Sequence, residues 1–243
     1  LIENLDDLPF PTRDLIDIEK YKIAHVERGI SRKFLNVAEI MVARGCPYQC
    51  IFCAGHISYG LRIRYRSAEN VLKEVKECVD KYNVNYVNIN DDPITIKKDL
   101  LYKLCDGFKE LGIEWGCLSR VDTADAGMFK RMVDSGCIRI NLGVESGSPR
   151  ILKLIKKGIT LDQAIDAFKW AHEAGFKIVD GDFMIGSHPL ETIDDVKMTL
   201  NLMKELKPSF ASIAVTVPFP GTELNELLKE KGYLKKENWE NFV

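Results

Sequence analysis

Six strand-like segments alternate with helical ones along this chain of 243 residues, and no other sequence feature constrains the fold as much. Residues 36–43, 84–90, 114–118, 137–144, 176–185 and 210–217 are short and apolar-rich, and they read as strands. Between them the hydrophobic period changes to that of a helix. Val71, Leu72, Val75, Cys78 and Val79 share one face behind a Ser67 N-cap, and Leu100, Leu101, Leu104 and Phe108 share another over 98–111. Further helices are expected over 126–135, 161–174 and 193–206, with a last one beginning near Thr222. Gly112, Gly136 and Gly175 supply helix stops. Strands separated by helices lie parallel and connect through right-handed crossovers. Six units fall short of the eight that close a full barrel. The expected fold is therefore α/β, a partial (β/α)6 TIM-like barrel of parallel strands with helices outside.

In such folds ligands gather at the C-terminal ends of the strands. The first strand runs into Cys46-Pro47-Tyr48-Gln49-Cys50-Ile51-Phe52-Cys53, a C-x3-C-x2-C loop. Clustered thiolates select zinc, copper(I) or iron–sulfur. Structural zinc and ordinary iron–sulfur clusters take four protein ligands, so three cysteines leave one metal position open. A zinc loop closed by a more distant ligand, with His56 the nearest candidate, is the competing reading. Seven cysteines, unevenly spaced, read as reduced intracellular thiols plus a metal site and not as a disulfide framework. A formal net charge of −2 gives no global pull toward nucleic acid. No apolar run reaches membrane-spanning length, and the acidic start is not a secretory signal. The other strand ends offer Asp91 and Asp92, Ser119 and Arg120, Glu145 and Ser146, Gly186 to His188, and Pro218 to Gly221.

With Phe52 directly before its last cysteine, the loop resembles the radical S-adenosylmethionine superfamily. Gly143-Val144-Glu145-Ser146-Gly147, followed by Lys156-Lys157-Gly158, resembles a stretch of its cobalamin-dependent and methylthiotransferase branches, as does Pro218-Phe219-Pro220-Gly221-Thr222. The resemblance implies a 4Fe–4S cluster on Cys46, Cys50 and Cys53, S-adenosylmethionine on the remaining iron, and reductive cleavage to a 5′-deoxyadenosyl radical. It further implies a flavodoxin- or ferredoxin-like electron donor and a reducing cytoplasm. Cobalamin would come through a domain absent from this chain. For the cofactor, Asp91 and Asp92 are expected near the amino group, Arg120 near the carboxylate, Glu145 at the ribose, and Phe52 with Pro218 at the adenine. Asp91 or Asp92 could instead cap the next helix, and Arg120 could pair with Asp122 or Asp125.

The expected division is a connector over 1–35, a radical core over 36–225, and an extension or the start of a truncated region over 226–243. Leu8-Pro9-Phe10-Pro11 gives the connector its extended character. Arg62-Ile63-Arg64-Tyr65-Arg66 either meets phosphate or an acidic substrate or faces water. The family's usual Gly-Leu-Pro-Gly-Glu-Thr turn is altered to Gly186-Ser187-His188-Pro189-Leu190-Glu191-Thr192, so His188 either serves the substrate or makes a turn. The alternative function is a non-catalytic iron–sulfur or zinc module for electron transfer or assembly.

Overall fold

The six strand-like segments form one parallel sheet in the computed structural model, which describes residues 2–16, 36–91 and 94–234. Its strands are β1 (Val37–Glu39), β4 (Tyr86–Ile89), β5 (Glu114–Arg120), β6 (Cys137–Glu145), β7 (Ile178–Ile185) and β8 (Phe210–Val215). They lie in that spatial order. The sheet curls into a half-barrel and stays open, because β1 and β8 pair on one side only. Helices α2 (Ala68–Tyr82), α3 (Lys98–Leu111), α4 (Ala126–Asp134), α6 (Leu161–Ala174) and α7 (Ile193–Leu206) supply the crossovers.

The caps follow the sequence. The Ser67 hydroxyl accepts from Asn70 N, Thr160 and Thr192 open reciprocal capping boxes, and Gly112 and Gly175 close their helices in the left-handed region. The main core fills the space between sheet and helices. Val87, Ile89, Trp115, Ile140, Leu142, Val144 and Phe183 meet Val75, Leu104, Phe108, Phe129 and Phe168 there. The inner face is polar by comparison: Arg139 pairs with Asp180 at 2.8 Å, and Asn141 donates to Asp182 at 2.8 Å.

The first expected strand is interrupted. Ile40 still bonds the Asn88 carbonyl, but the amides of Val42 and Ala43 turn to the Asp91 carboxylate. A buried amide needs one acceptor, and a side chain from the next strand end supplies it. The chain then forms β2 (Ala43–Arg44), antiparallel to β3 (Arg64–Tyr65). This hairpin and the short helices α1 (Gly55–Tyr59) and α5 (Pro149–Leu154) carried too little periodicity to be anticipated.

The basic run is structural. Arg64 is buried and donates to the carbonyls of Ile2 and Tyr59. Arg66 is buried and donates to Met41 O, Asn70 Oδ1 and Glu74 Oε2. Only Arg62 faces water, paired with Glu3 at 2.9 Å. Arg13, from the expected connector, reaches the other Glu74 oxygen at 2.7 Å, and Leu5 is fully buried. Residues 17–35 of that connector and 235–243 of the expected extension lie outside the described residues. Helix α8 (Glu223–Glu230) follows the Thr222 N-cap. Among the described residues no helix is long and apolar enough to cross a membrane.

Candidate active site

The cysteine loop starts at Gly45, whose φ of +102° belongs to the left-handed side that glycine tolerates. A Cβ there would lie 2.2 Å from the Arg62 carbonyl oxygen, so the backbones of loop and hairpin touch. Cys46 N then bonds Gly60 O at 3.1 Å. Farther on, Ile51 is bonded on both sides, its N–H to Ile155 O at 3.1 Å and its carbonyl from Leu224 N at 2.9 Å. The ends of α5 and α8 thereby hold the loop between Cys50 and Cys53. Phe52 is partly buried against the main core. The Pro218 carbonyl accepts from Asn225 Nδ2 at 2.8 Å, which fixes the turn before α8.

Cys46 and Cys50 are buried and Cys53 half-buried. Gly55 N donates to Cys53 Sγ at 3.3 Å, the kind of bond that stabilises thiolate sulfur in a cluster. Burial pushes the Cys50 thiol pKa up, Lys157 and Arg120 pull it down, and Cys53 and Glu145 push it up again. Three soft donors on one braced loop fit a cubane cluster, in which each thiolate serves a different iron. Among the described residues no three His, Cys, Asp or Glu side chains converge as a site for a metal ion.

Arg120 is only 7% exposed. Its Nε and Nη2 grip Asp122 at 2.8 and 3.0 Å, and Nη2 also donates to the Lys157 carbonyl at 2.7 Å. The guanidinium carbon lies 3.6 Å from the Tyr48 ring centre. The expected pairing of Arg120 with Asp122 is present, in a buried setting. Glu145 ends β6 at a register shift with φ +71°, which for a residue with a side chain costs about 1–2 kcal/mol. Its Oε1 accepts from Lys157 Nζ at 2.8 Å, with both residues buried. Such strain clusters at functional sites.

Three of the expected site residues line cavities, Arg120 and Glu145 one and Asp91 another. One of about 130 Å³ is lined by Ser119, Arg120, Gly143, Glu145, Lys157 and Asp182. Another of about 250 Å³ contains Asp91 with Arg44, Gly45, Tyr59 and Asn90. Asp92 lies outside the described residues. His188 makes a turn: its Nδ1 accepts from Leu190 N at 3.1 Å, and burial with Lys231 and Arg150 nearby lowers its pKa. Sequence reasoning missed Lys157, Tyr48 and Asp182 as site members. Lys157 did stand in the quoted Lys156-Lys157-Gly158 stretch, the one signal that could have found it.

The Radical SAM superfamily model matches residues 40–203, and this chain belongs to that superfamily. An uncharacterized methyltransferase of Pyrococcus horikoshii is 35% identical over all of this chain and 51% of its own length. The cytidylyl-2-hydroxyethylphosphonate methyltransferase of Streptomyces wedmorensis is 30% identical over 96% of this chain and 45% of its own length. The anaerobic magnesium-protoporphyrin IX monomethyl ester cyclase of Rubrivivax gelatinosus is 25% identical over 95% of this chain and 40% of its own length. The chain thus spans about half the length of the curated relatives it matches. Among solved structures, the radical S-adenosylmethionine methyltransferase TsrM from Kitasatospora setae, with cobalamin and a [4Fe-4S] cluster bound, superposes with a TM-score of 0.72 at 18% identity. That match covers 88% of this chain and 41% of TsrM, and shows a shared fold.

Proposed function

We propose that this chain is the radical domain of an enzyme that cleaves S-adenosylmethionine reductively, working within a cobalamin-dependent methyltransferase. The observation that carries the reading is the seat of the Arg120 guanidinium 3.6 Å from the Tyr48 ring centre, with Arg120 also donating to the Lys157 carbonyl, which sets the thiol loop against the polar strand ends. Cys46, Cys50 and Cys53 would hold a 4Fe–4S cluster. Bound there, the cluster supplies the electron that splits the sulfonium into methionine and a 5′-deoxyadenosyl radical.

The chain's own residues bind and orient. Glu145, locked by Lys157, presents a fixed carboxylate suited to ribose hydroxyls. Phe52 and the Pro218 turn offer a flat apolar slot for adenine. Asp91, with Asp92, suits the amino group. Arg120 is committed to Asp122, Lys157 and Tyr48 and acts chiefly by holding the loop. The cobalamin part rests on relatives and neighbours that act as methyltransferases, one of them with cobalamin bound. A flavodoxin- or ferredoxin-like protein would deliver the electron, and the substrate is a small molecule or peptide.

Anaerobic reconstitution tests the reading. Four irons per chain and 5′-deoxyadenosine on reduction are expected, and Cys46→Ser, Cys50→Ser or Cys53→Ser each removes both. Cofactor cleavage that survives any of these substitutions refutes it. The competing non-catalytic module draws on one observation, the buried Nδ1 of His56, which has no hydrogen-bond partner among the described residues, and would use that nitrogen as a fourth ligand.

A further inference from the structure

The sheet ends on β8, whose outer face stays exposed. In register, Phe183 of β7 stands beside Ile213 of β8, and Ile185 beside Val215, so these side chains share the helix-facing side of the sheet. Phe183 is 1% exposed there, whereas Ile213 is 45% and Val215 77% exposed. Parallel sheets are normally covered on both faces. The helix that follows β8 goes elsewhere. It docks on the cysteine loop, with Leu224 N bonded to Ile51 O at 2.9 Å and Glu223 paired with Lys156 at 2.6 Å.

Helix α7 presents a matching surface. Ile193, Val196, Leu200 and Met203 recur at helical spacing and form one stripe. Ile193 and Leu200 are exposed, and Val196 and Met203 half-buried. The opposite flank of α7 is taken: a Cβ on Gly147 would lie 2.5 Å from the Met198 carbonyl oxygen, and His172 Nε2 of α6 lies 3.2 Å from the Leu206 carbonyl oxygen. Because α7 joins β7 to β8 and crosses over that pair, its apolar stripe borders Ile213 and Val215. The strand itself is undefended. Natural edge strands are kept short or charged. The other edge, β1, has three residues and carries Glu39, but β8 has six residues and no charge.

We infer that the α7–β8 face docks an amphipathic helix from the part of the whole protein outside this chain. Its apolar residues would lie against the α7 stripe and over Ile213 and Val215. A stripe at helical spacing has the form of a helix–helix contact, which favours a helix as the occupant. The chain spans about half the length of its curated relatives, so further polypeptide exists in them to supply one. The inference stands apart from cofactor cleavage.

The test treats the whole protein carrying Val215→Cys with a maleimide, native and urea-unfolded, and reads the labelled peptides by mass spectrometry. Lys130→Cys, at an exposed position on α4, is the reference. Labelling at position 215 should be lost in the native state and regained on unfolding, while position 130 is labelled in both. In the unsubstituted protein, photo-leucine at position 200 should cross-link to a segment of the same polypeptide outside residues 1–243, with apolar residues at helical spacing. Native labelling at position 215 as complete as in the unfolded protein overturns the inference, because the face is then open. Links between isotope-distinguished copies assign the face to a second copy, and links to residues 235–243 assign it to this chain's own end; either result overturns the inference. Should Val215→Cys fail to fold, the cross-links from Leu200 decide alone, and their absence overturns it.

Discussion

The Arg120 guanidinium lies face-on to the Tyr48 ring, 3.6 Å from its centre. Tyr48 sits between Cys46 and Cys50, and Arg120 ends β5, so this contact docks the thiol loop onto the third strand of the sheet. A cation–π pair with one partner buried and the other half-buried is worth about 1–2 kcal/mol. Tyr48→Leu should lower the unfolding midpoint and the iron retained per chain, whereas Tyr48→Phe should keep both near wild type. Thermal unfolding and iron assay after reconstitution measure this. Full iron loading in Tyr48→Leu would show that the loop is held without the contact.

Lys157 and Glu145 form a buried pair whose members neutralise one another. Removing one charge leaves the other buried alone, at a cost of about 3–5 kcal/mol. Lys157→Met and Glu145→Gln should each lower the urea midpoint strongly. The double variant should fall short of their sum by about 1–3 kcal/mol. Additive losses would mean that the two groups do not depend on each other.

Gly143 makes room for that pair. A Cβ at this position would lie 3.0 Å from both Glu145 Oε1 and Lys157 Nζ. Gly143→Ala should therefore disturb the pair and cost stability in the wild type, and cost less in the Lys157→Met background. Urea denaturation of the four chains gives the comparison, and an equal cost in both backgrounds contradicts the steric assignment.

His56 separates the open site from a closed one. Its Nδ1 is buried and has no hydrogen-bond partner among the described residues, yet the proposed function leaves it no metal to bind. His56→Ala should retain four irons and an unchanged spectrum of the reduced cluster. Loss of the metal centre in this variant would establish a fourth protein ligand.

Asp195 ties α7 to the segment after Glu145. Hydrogen bonds from the Ser148 and Thr192 hydroxyls and from Thr192 N, with Arg150 adjacent, hold its carboxyl well below the usual carboxylate range. A depressed native pKa means stability that is full above the unfolded value and lost as pH falls from about 4 toward the native one. Asp195→Asn should be less stable than wild type at pH 7, with the difference shrinking on acidification. A gap that persists unchanged at pH 2 would rule out this linkage.

Much of the scaffold was legible because its signals are local. Helical spacing marked 98–111, 161–174 and 193–206 at the residues where α3, α6 and α7 begin and end, since caps and stops act within one turn. The break after β1 was not legible: the acceptor for the Val42 and Ala43 amides comes from Asp91, 49 and 48 residues away. The arginine run misled for the same reason. Arg64 and Arg66 look like a charged surface until carbonyls and Glu74 from distant segments surround them.

The sequence by itself determined the thiol spacing and the count of six parallel strands, because each is written in residue types at short separation. Only the tertiary structure decided which charges are already satisfied. It gave Arg120 to Asp122 and Glu145 to Lys157, and it left Arg44 without an acid among the described residues. Pairing is set by distances of a few ångströms between groups brought together by folding, and residue order carries no record of them.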